Sequence, residues 1–240
     1  MKTIVLGDIH ANLPALQVCW EQAEAEGYDR IVHTGDVVGF GPFPEECVAF
    51  LRDRNIPGAR GHFDDAVGAD AEQSGAHEPS PGEQELAEAS FAWTRRTLGA
   101  AAKIWLSSLP FEWREQRDGG LVVLHASPFD LHSALEPGMP ETLFTEYGEE
   151  ARGLVIVFGH RHRSFHRLVD RRHFVNAGSV GRPEDGDPRT GYAVVETGRE
   201  VSATFRRFPY DTEAVARAAR ARGAPSAVGH PGNARSMPSH

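Results

Sequence analysis

The stretch Thr3-Ile-Val-Leu6 runs directly into Gly7-Asp8-Ile9-His10 and sets the pattern for the whole chain. A short, β-branched apolar run of this kind is typical of a parallel strand that is buried on both faces. Downstream, apolar residues recur at helical spacing from Leu13 to Glu26, with Asn12 available as the N-cap. The segment therefore predicts a strand, a loop and a helix, with an aspartate and a histidine just past the carboxyl end of the strand.

The same unit returns further along the chain. Residues 30–34 have the pattern of a second strand that ends in Gly35-Asp36, and a helix is predicted over residues 44–54. Two more apolar runs, 121–124 and 154–158, each lead into a histidine. Short strand-like segments between residues 165 and 208 are separated by turn residues and indicate antiparallel hairpins. We therefore expect an α/β fold with a mixed sheet arrangement.

Composition and charge narrow the class of protein. The chain has 240 residues, of which 40% are hydrophobic, and a net charge of -9 at pH 7. The acidic balance argues against a nucleic-acid partner, because binding a nucleic-acid backbone needs clustered Lys and Arg. No apolar run approaches the ~18 residues of a membrane span, and Cys19 and Cys47 have no CxxC spacing. We expect a cytoplasmic protein without a membrane partner.

The length suits one domain, which we expect over residues 1–222. Within it, residues 65–82 are rich in small, acidic and turn-forming residues and are expected to form a surface excursion. Residues 223–240 are expected to be a disordered tail, because their composition buries too little apolar surface. Apolar and aromatic residues between 91 and 113 leave a homo-oligomer open, since sequence does not separate an interface from a core.

The polar residues that follow the predicted strands form one candidate site. In open α/β sheets, ligands collect outside the carboxyl ends of the strands, so residues distant in sequence meet there. Mixed carboxylate and imidazole ligands suit borderline divalent ions, and the size of the set favours two of them. With only two carboxylates the site stays cationic and attracts a phosphate. The candidate ligands are Asp8, His10, Asp36, His125, His160 and His162.

Five ordered blocks together resemble the calcineurin-like metallophosphoesterase superfamily. The blocks are Gly7-Asp8-Ile9-His10, Gly35-Asp36, Gly61-His62-Phe63-Asp64, His125, and Gly159-His160-Arg161-His162. The resemblance spans most of residues 1–210. Residues 35–42 and the stretch Asn176-Ala177-Gly178-Ser179-Val180-Gly181 are similar to the small bacterial and archaeal phosphodiesterase branch.

The resemblance implies a fold, a cofactor and a role for each ligand. The implied fold is a four-layer αββα sandwich with two mixed sheets. The implied cofactors are two divalent metal ions, with Mn²⁺ favoured and Fe, Zn, Co or Ni as alternatives. By this resemblance, Asp36 would bridge the two ions, and a hydroxide between them would attack the phosphate of a small phosphate ester. The remaining assignments are Asp8, His10 and His162 to the first metal, and His125 and His160 to the second.

The third block departs from the superfamily pattern, which usually has Gly-Asn-His followed by Asp or Glu. Here His62 stands where the Asn ligand is usual, and Phe63 replaces the His that acts as an acid. His62 is a candidate ligand of the second metal, with Asp64 as a candidate acceptor that orients it. We therefore count His62 and Asp64, with Asp36, as candidate catalytic residues. Phe63 has no proton to donate, so good leaving groups are expected to be favoured.

Two further residues have open roles. Asn12 is a candidate for a helix cap, a phosphate contact or both, because a helix N-terminus can face an anion. Arg161 is a candidate phosphate contact or a solvent-facing side chain. His33 lies within a predicted strand and is interpreted as a packed or edge histidine, and His132, His166 and His173 have no partner at useful spacing. All four are left out of the site.

Three functions remain in competition at this stage. The first is a metal-dependent phosphodiesterase that also hydrolyses activated phosphate esters. The second is a phosphoprotein or nucleotide phosphomonoesterase, which the missing acid at Phe63 disfavours. The third is a scaffold that kept the fold and lost the chemistry, for which His62 and Phe63 are the sequence support.

Overall fold

The computed structural model describes residues 1–77, 80–115 and 120–225. Its strands form two mixed sheets. In chain order the strands are β1 (Lys2–Leu6), β2 (Arg30–His33), β3 (Trp113–Glu115), β4 (Leu121–Val123), β5 (Val155–Phe158), β6 (Phe165–Val169), β7 (Arg172–Asn176), β8 (Thr190–Glu196) and β9 (Ser202–Phe208). The helices are α1 (Leu13–Glu26), α2 (Pro44–Asp53), α3 (His62–Gly68), α4 (Pro81–Thr97), α5 (Ala100–Ser108), α6 (Glu141–Ala151) and α7 (Thr212–Arg222).

Each sheet combines parallel and antiparallel neighbours. The first sheet has the order β2-β1-β8-β9, in which β1 pairs in parallel with β2 and antiparallel with β8. The second sheet has the order β3-β4-β5-β7-β6, in which β5 lies between the parallel strands β4 and β7. The parallel strands β1 and β2 of the first sheet and β4 and β5 of the second are each followed, at their carboxyl ends, by candidate ligands.

The two-residue period of the strands sorts their apolar side chains between two layers of core. Val5 and Val32 of the first sheet pack with Val155 and Val157 of the second, which fills the space between the sheets. Their neighbours point the other way, as successive side chains of a strand do. Ile4 of β1, for example, packs beneath the helices on the outer face of the first sheet.

Helices cover both outer faces, and α6 is the helix that covers the second sheet. Phe144 and Ala151 of α6 pack on Ile156, Phe158 and Phe174 of the second sheet. Residues from α1 to α5 and from α7 pack in the cluster on the first sheet. The four-layer αββα arrangement expected from the resemblance is therefore confirmed.

Several local expectations differ from the structure. Before Gly61, where the repeated unit would lead one to expect a third strand, the chain forms only an isolated bridge between Gly58 and His33. The stretch 65–82 is only partly a surface excursion, because α3 runs through its first four residues and Ser74 and Ala76 are buried. Helix α3 escaped the sequence patterns because it has only seven residues. The expected tail from residue 226 onward lies outside the described residues.

The aromatic segment between residues 91 and 113 belongs mainly to the core. Phe91 and Trp93 are buried, and Trp105 packs against the same cluster. Ile104 is exposed. These aromatic side chains therefore do not form an exposed surface on which a second copy of the chain could pack. Within the described ranges, no helix has both the length and the apolar character needed to cross a membrane.

Candidate metal centre

The loops after β1, β2, β4 and β5 bring the predicted ligands together, and His62 joins them from the start of α3. Their backbones are unusual, because five of the seven residues have a positive φ angle. A positive φ is uncommon outside glycine, and such outliers cluster at functional sites. The five residues are Asp8 (21°), His10 (47°), Asp36 (46°), His160 (67°) and His162 (53°).

A first group of ligand atoms comes from Asp8, His10 and His162, all three of which are buried. The Nε2 atoms of His10 and His162 lie 2.9 Å apart. The Nε2 atom of His162 lies 3.6 Å from Oδ1 of Asp8. One carboxylate oxygen and two imidazole nitrogens therefore surround one point.

A second group consists of His62, His125 and His160. The Nε2 atom of His125 lies 3.0 Å from Nδ1 of His62 and 3.1 Å from Nδ1 of His160. Three imidazole nitrogens that approach one another this closely are arranged as metal ligands are. The prediction from sequence position that His62 joins this group is therefore matched by its placement.

Asp36 lies between the two groups. Its Oδ2 atom is 3.0 Å from Nδ1 of His62, 3.6 Å from Nε2 of His125 and 3.9 Å from Nε2 of His10. This oxygen is buried and, among the described residues, has no hydrogen bond of good geometry. Its other oxygen, Oδ1, accepts a hydrogen bond of 2.9 Å from the backbone N–H of Phe63. A buried carboxylate oxygen in this setting needs a positive partner, and a cation bound by both groups supplies one.

Three of the histidines are oriented by hydrogen bonds at their other ring nitrogen. Nδ1 of His10 faces the carbonyl oxygen of Val38 at 3.2 Å, and Nδ1 of His125 faces that of Thr34 at 3.0 Å. Nδ1 of His162 faces Oε1 of Glu184 at 3.3 Å. An acceptor at Nδ1 holds the proton there and leaves the Nε2 lone pair for a metal.

The charges of the cluster also suit a cation. Burial and the neighbouring His162 lower the pKa of His10, and burial and His125 lower that of His160, so both rings favour the neutral form that binds metals. Burial opposes ionisation of Asp36, yet His125 and His62 hold its pKa well below the usual range. Burial lowers the pKa of His162, but Asp8 and Glu184 raise it to about 9. A cation bound at Nε2 of His162 therefore displaces a proton.

Comparison with known proteins identifies the family. The sequence model for the calcineurin-like phosphoesterase superfamily domain matches residues 1–200. The chain belongs to the calcineurin-like phosphoesterase superfamily. The resemblance drawn from the five blocks is thus confirmed, and the chain is a metal-dependent phosphoric ester hydrolase.

Individual relatives agree with this assignment along most of the chain. A metallophosphoesterase from Sphaerobacter thermophilus has a crystal structure that superposes with a TM-score of 0.73 at 28% identity, covering 93% of this chain and 94% of that one. The hypothetical protein PH1004 from Pyrococcus horikoshii has the same fold, with a TM-score of 0.80 at 18% identity and the same coverage. The uncharacterized protein MJ0912 from Methanocaldococcus jannaschii is 28% identical over 225 residues, which are 86% of this chain and 87% of the relative.

Asp64 is placed differently from the role considered for it in this calcineurin-like domain, and Asn12 takes one of its two candidate roles. The Asp64 carboxylate accepts backbone hydrogen bonds from Gly61 at 3.1 Å and from Val37 at 2.9 Å, and no described hydrogen bond joins it to His62. Asp64 therefore fixes the start of α3 against the loop after β2. Asn12 is fully buried and caps α1 through Ala15, while its Nδ2 donates to the carbonyl oxygen of Gly181 at 3.0 Å. Nδ2 also donates to the Tyr210 hydroxyl at 3.2 Å. The cap prediction holds, and the two bonds from Nδ2 use the amide hydrogens that a phosphate would need.

A cleft of about 290 Å³ opens beside the ligands of this phosphoesterase domain. Phe63 lines it and packs its ring 5.0 Å from that of Phe40 and 5.8 Å from that of His10. Arg161, a predicted phosphate contact, lines the cleft with its side chain 42% exposed and pairs with Glu136 at 3.4 Å. Arg161 is thus placed where an anionic substrate can reach it, whereas Phe63 puts a hydrocarbon ring beside the ligands.

Sequence reasoning missed several residues around the cluster. Arg182 and Glu184 line the cleft behind His162, and His77 lines its opposite side. His132 was set aside for lack of a partner, yet its ring lies 5.3 Å from that of His62. No motif marks these residues, because they reach the site through loops that fold back over it. The position of Glu184 three residues after the stretch Gly178-Ser179-Val180-Gly181 was the available sequence signal for it.

Proposed function

We propose that this chain is a dinuclear phosphodiesterase that also hydrolyses activated phosphate esters. The observation that carries the proposal is the position of Asp36, whose Oδ2 atom lies within 3.0–3.9 Å of ligand nitrogens from both groups. A carboxylate shared by two ligand sets suits two neighbouring divalent ions, because one charged group then faces both of them. The superfamily supplies the reaction class, and the ligand geometry supports the number of ions.

The residues divide into two metal positions with one bridge. Asp8, His10 and His162 would hold one ion, and His62, His125 and His160 the other, with Asp36 between them. When bound, two divalent ions generate a nucleophile from water near neutral pH and neutralise charge on the phosphate. We propose Mn²⁺ as the first metal to test, since carboxylate and imidazole ligands together suit borderline ions and leave Fe, Zn, Co and Ni as alternatives.

The protein's own contribution is to bind and orient the phosphate ester. Arg161 offers a guanidinium at the cleft wall, where it can pair with a phosphate oxygen that does not react. Four of the candidate ligands, His10, His62, His160 and His162, line the same cleft. Bulk water screens charges less at a buried position than at the surface, so electrostatic interactions with these ligands are stronger there. The substrate we propose is therefore a small phosphate ester that reaches into the cleft with one phosphate.

The leaving group decides between a diesterase and a monoesterase. Phe63 stands where the superfamily usually has an acid, and its ring has no proton to give. An alkoxide that leaves without general acid help loses typically 10²–10⁴-fold in rate, as an order of magnitude. Aryl and other activated esters leave without that help. This supports activated diesters as substrates ahead of alkyl monoesters.

The cellular setting is proposed from fewer observations. Both cysteines of the chain are buried free thiols, which supports a reducing compartment such as the cytoplasm. A homo-oligomer stays a prediction without a defined interface. A scaffold without chemistry is the competing function, and the retained ligand set is the observation against it.

Metal content and diester hydrolysis test the proposal together. Full-length protein purified without chelator is analysed for metals, and its turnover of bis-p-nitrophenyl phosphate is measured before chelation, after chelation and after Mn²⁺ is restored. We expect about two metals per chain and turnover that is lost and regained. The variant Asp36→Asn serves as the control for contaminating hydrolase. A protein that binds no metal and stays inactive in Mn²⁺, Zn²⁺ and Fe²⁺ would instead be the scaffold.

A further inference from the structure

The loop that follows β7 packs directly behind the first group of ligands. Ser179 donates a hydrogen bond of 2.6 Å to the carbonyl oxygen of Asp8, and the backbone N–H of Gly181 donates one of 3.1 Å to the same oxygen. At the end of this loop, the N–H of Glu184 donates to the carbonyl oxygen of His162 at 3.2 Å. The loop therefore contacts two of the three ligands of one metal position.

Glu184 also reaches His162 with its side chain. Oε1 of Glu184 lies 3.3 Å from Nδ1 of His162, on the side of the ring away from Nε2 and the other ligands. The Glu184 carboxylate is largely buried, with 17% of its side chain exposed. The backbone and side-chain contacts to the same histidine fix the carboxylate relative to the ring.

Arg182 holds the Glu184 carboxylate in this position. Its Nη1 atom lies 3.1 Å from Oε1, the same oxygen that faces His162. The guanidinium of Arg182 in turn stacks over the ring of Phe40 at 4.1 Å, and the Arg182 side chain is buried. Oε1 thus receives two donors, one from the ligand and one from an arginine that is itself fixed by packing.

We propose that Glu184 is the positioning residue of the metal position formed by Asp8, His10 and His162. By accepting the proton on Nδ1, it selects the form of His162 that offers a lone pair at Nε2, and it sets the angle of the ring. Supporting contacts of this kind typically change metal affinity by about 10–100-fold. The inference rests on the proposed function only in that it requires a metal at this group.

The effect is confined to one of the two positions. His10 and His125 are oriented by backbone carbonyls of Val38 and Thr34, which do not depend on Glu184. The Glu184 carboxylate faces His162, which belongs to the first group of ligands. A change at Glu184 should therefore lower the affinity for one ion and leave the affinity for the other unchanged.

Two conservative variants separate the hydrogen bond from the charge. Glu184→Gln removes the negative charge but keeps a carbonyl oxygen at the same reach, and both donors at Oε1 favour that oxygen over the amide nitrogen. Glu184→Asp keeps the charge but is one methylene shorter, so the carboxylate retracts from Nδ1. A positioning role predicts near-normal metal affinity for the first variant and weakened affinity for the second.

The matched control is Glu136→Asp. Glu136 lines the same cleft and also pairs with an arginine, Arg161, at 3.4 Å. No described hydrogen bond or ion pair joins it to a candidate ligand. Shortening it changes the cleft carboxylate in the same way without a contact to a metal position, so we expect wild-type metal affinities.

The measurement is Mn²⁺ binding to the full chain, stripped by chelator, by equilibrium dialysis with elemental analysis. We expect Glu184→Asp to bind one ion about 10–100-fold more weakly and the other normally, and Glu184→Gln to stay within about tenfold of the wild type. Thermal unfolding checks that each variant is folded.

Three outcomes overturn the inference. They are normal affinities in Glu184→Asp, greater weakening in Glu184→Gln than in Glu184→Asp, and equal weakening of both ions. The second outcome would assign the effect to charge. If the wild-type chain itself binds no metal, the proposed function fails. That result differs from a wild type that binds two ions and Glu184 variants with unchanged metal affinity, which would overturn only the inference about Glu184.

Discussion

The two halves of the ligand cluster are built differently. Asp8, His10 and His162 combine a carboxylate with two imidazoles, and both imidazoles have an acceptor at Nδ1. The other half has three imidazoles, of which only His125 has such an acceptor. His62 and His160 turn Nδ1 toward the cluster, and no described hydrogen bond reaches their Nε2 atoms.

The difference between the halves coincides with how closely each half follows the superfamily pattern. We call the half formed by Asp8, His10 and His162 the supported half, because both of its imidazoles have an acceptor at Nδ1. It uses the residues that the superfamily pattern leads one to expect. The less supported half contains both departures, His62 and Phe63, at the start of α3. A neutral ligand set attracts a cation less than one with its own carboxylate. We therefore expect the two proposed positions to bind metal with unequal affinity. Four predictions test the bridge between the halves, the departures in the second half and the difference in affinity.

The largest effect is expected where the two halves meet. Asp36→Asn removes the charge shared by both positions, so the affinity for both ions should fall. Diester turnover should fall by about 10³-fold or more, as for the loss of a central electrostatic group. Elemental analysis and bis-p-nitrophenyl phosphate hydrolysis measure the two effects. Two tightly bound ions in this variant would contradict the bridging role.

The next effect concerns the leaving group. Phe63→His restores a proton donor to the start of α3, so turnover of an alkyl phosphomonoester should rise by about 10²-fold, the low end for general acid catalysis. Turnover of an activated aryl diester should change far less. The control is Phe63→Leu, which keeps an apolar side chain without a donor. Equal gains in the two variants would mean that the missing acid is not what limits alkyl esters.

A paired substitution compares the halves directly. His162→Ala removes a ligand of the supported half and His160→Ala one of the other, and each should weaken one ion by at least about tenfold. The tighter ion should be the one lost in His162→Ala. Stepwise Mn²⁺ binding measures both affinities, with the surface substitution His166→Ala as control. Loss of the same ion in both variants would remove the division into two halves.

The smallest effect is expected at His62. Asn is the residue usual at this position in the superfamily, and it offers a single oxygen in place of the ring nitrogen. His62→Asn should therefore keep both ions, with the affinity of the less supported position changed by less than about tenfold. Equilibrium dialysis with Mn²⁺ checks this result. Complete loss of one ion would show that the His62 ring is indispensable here.

Much of the fold and most of the ligand set could be predicted from the sequence. The alternation of apolar residues is local, and it located β1, β2 and the strands before His125 and His160. Because ligands collect outside the carboxyl ends of the strands in an open α/β sheet, the residues that follow these strands could be predicted to form one site. The short helix α3 lay beyond this reasoning, because seven residues give too few turns for a period to appear.

The sequence by itself determined which chemical groups are present and on which elements they lie. Only the tertiary structure decided their partners. Asp64 binds backbone N–H groups of another loop instead of His62, and Glu184 reaches His162 from a loop that follows a different strand. The physical reason is that a strand pattern depends on neighbouring residues, whereas a hydrogen bond depends on which distant loops the packed sheets bring within about 3 Å.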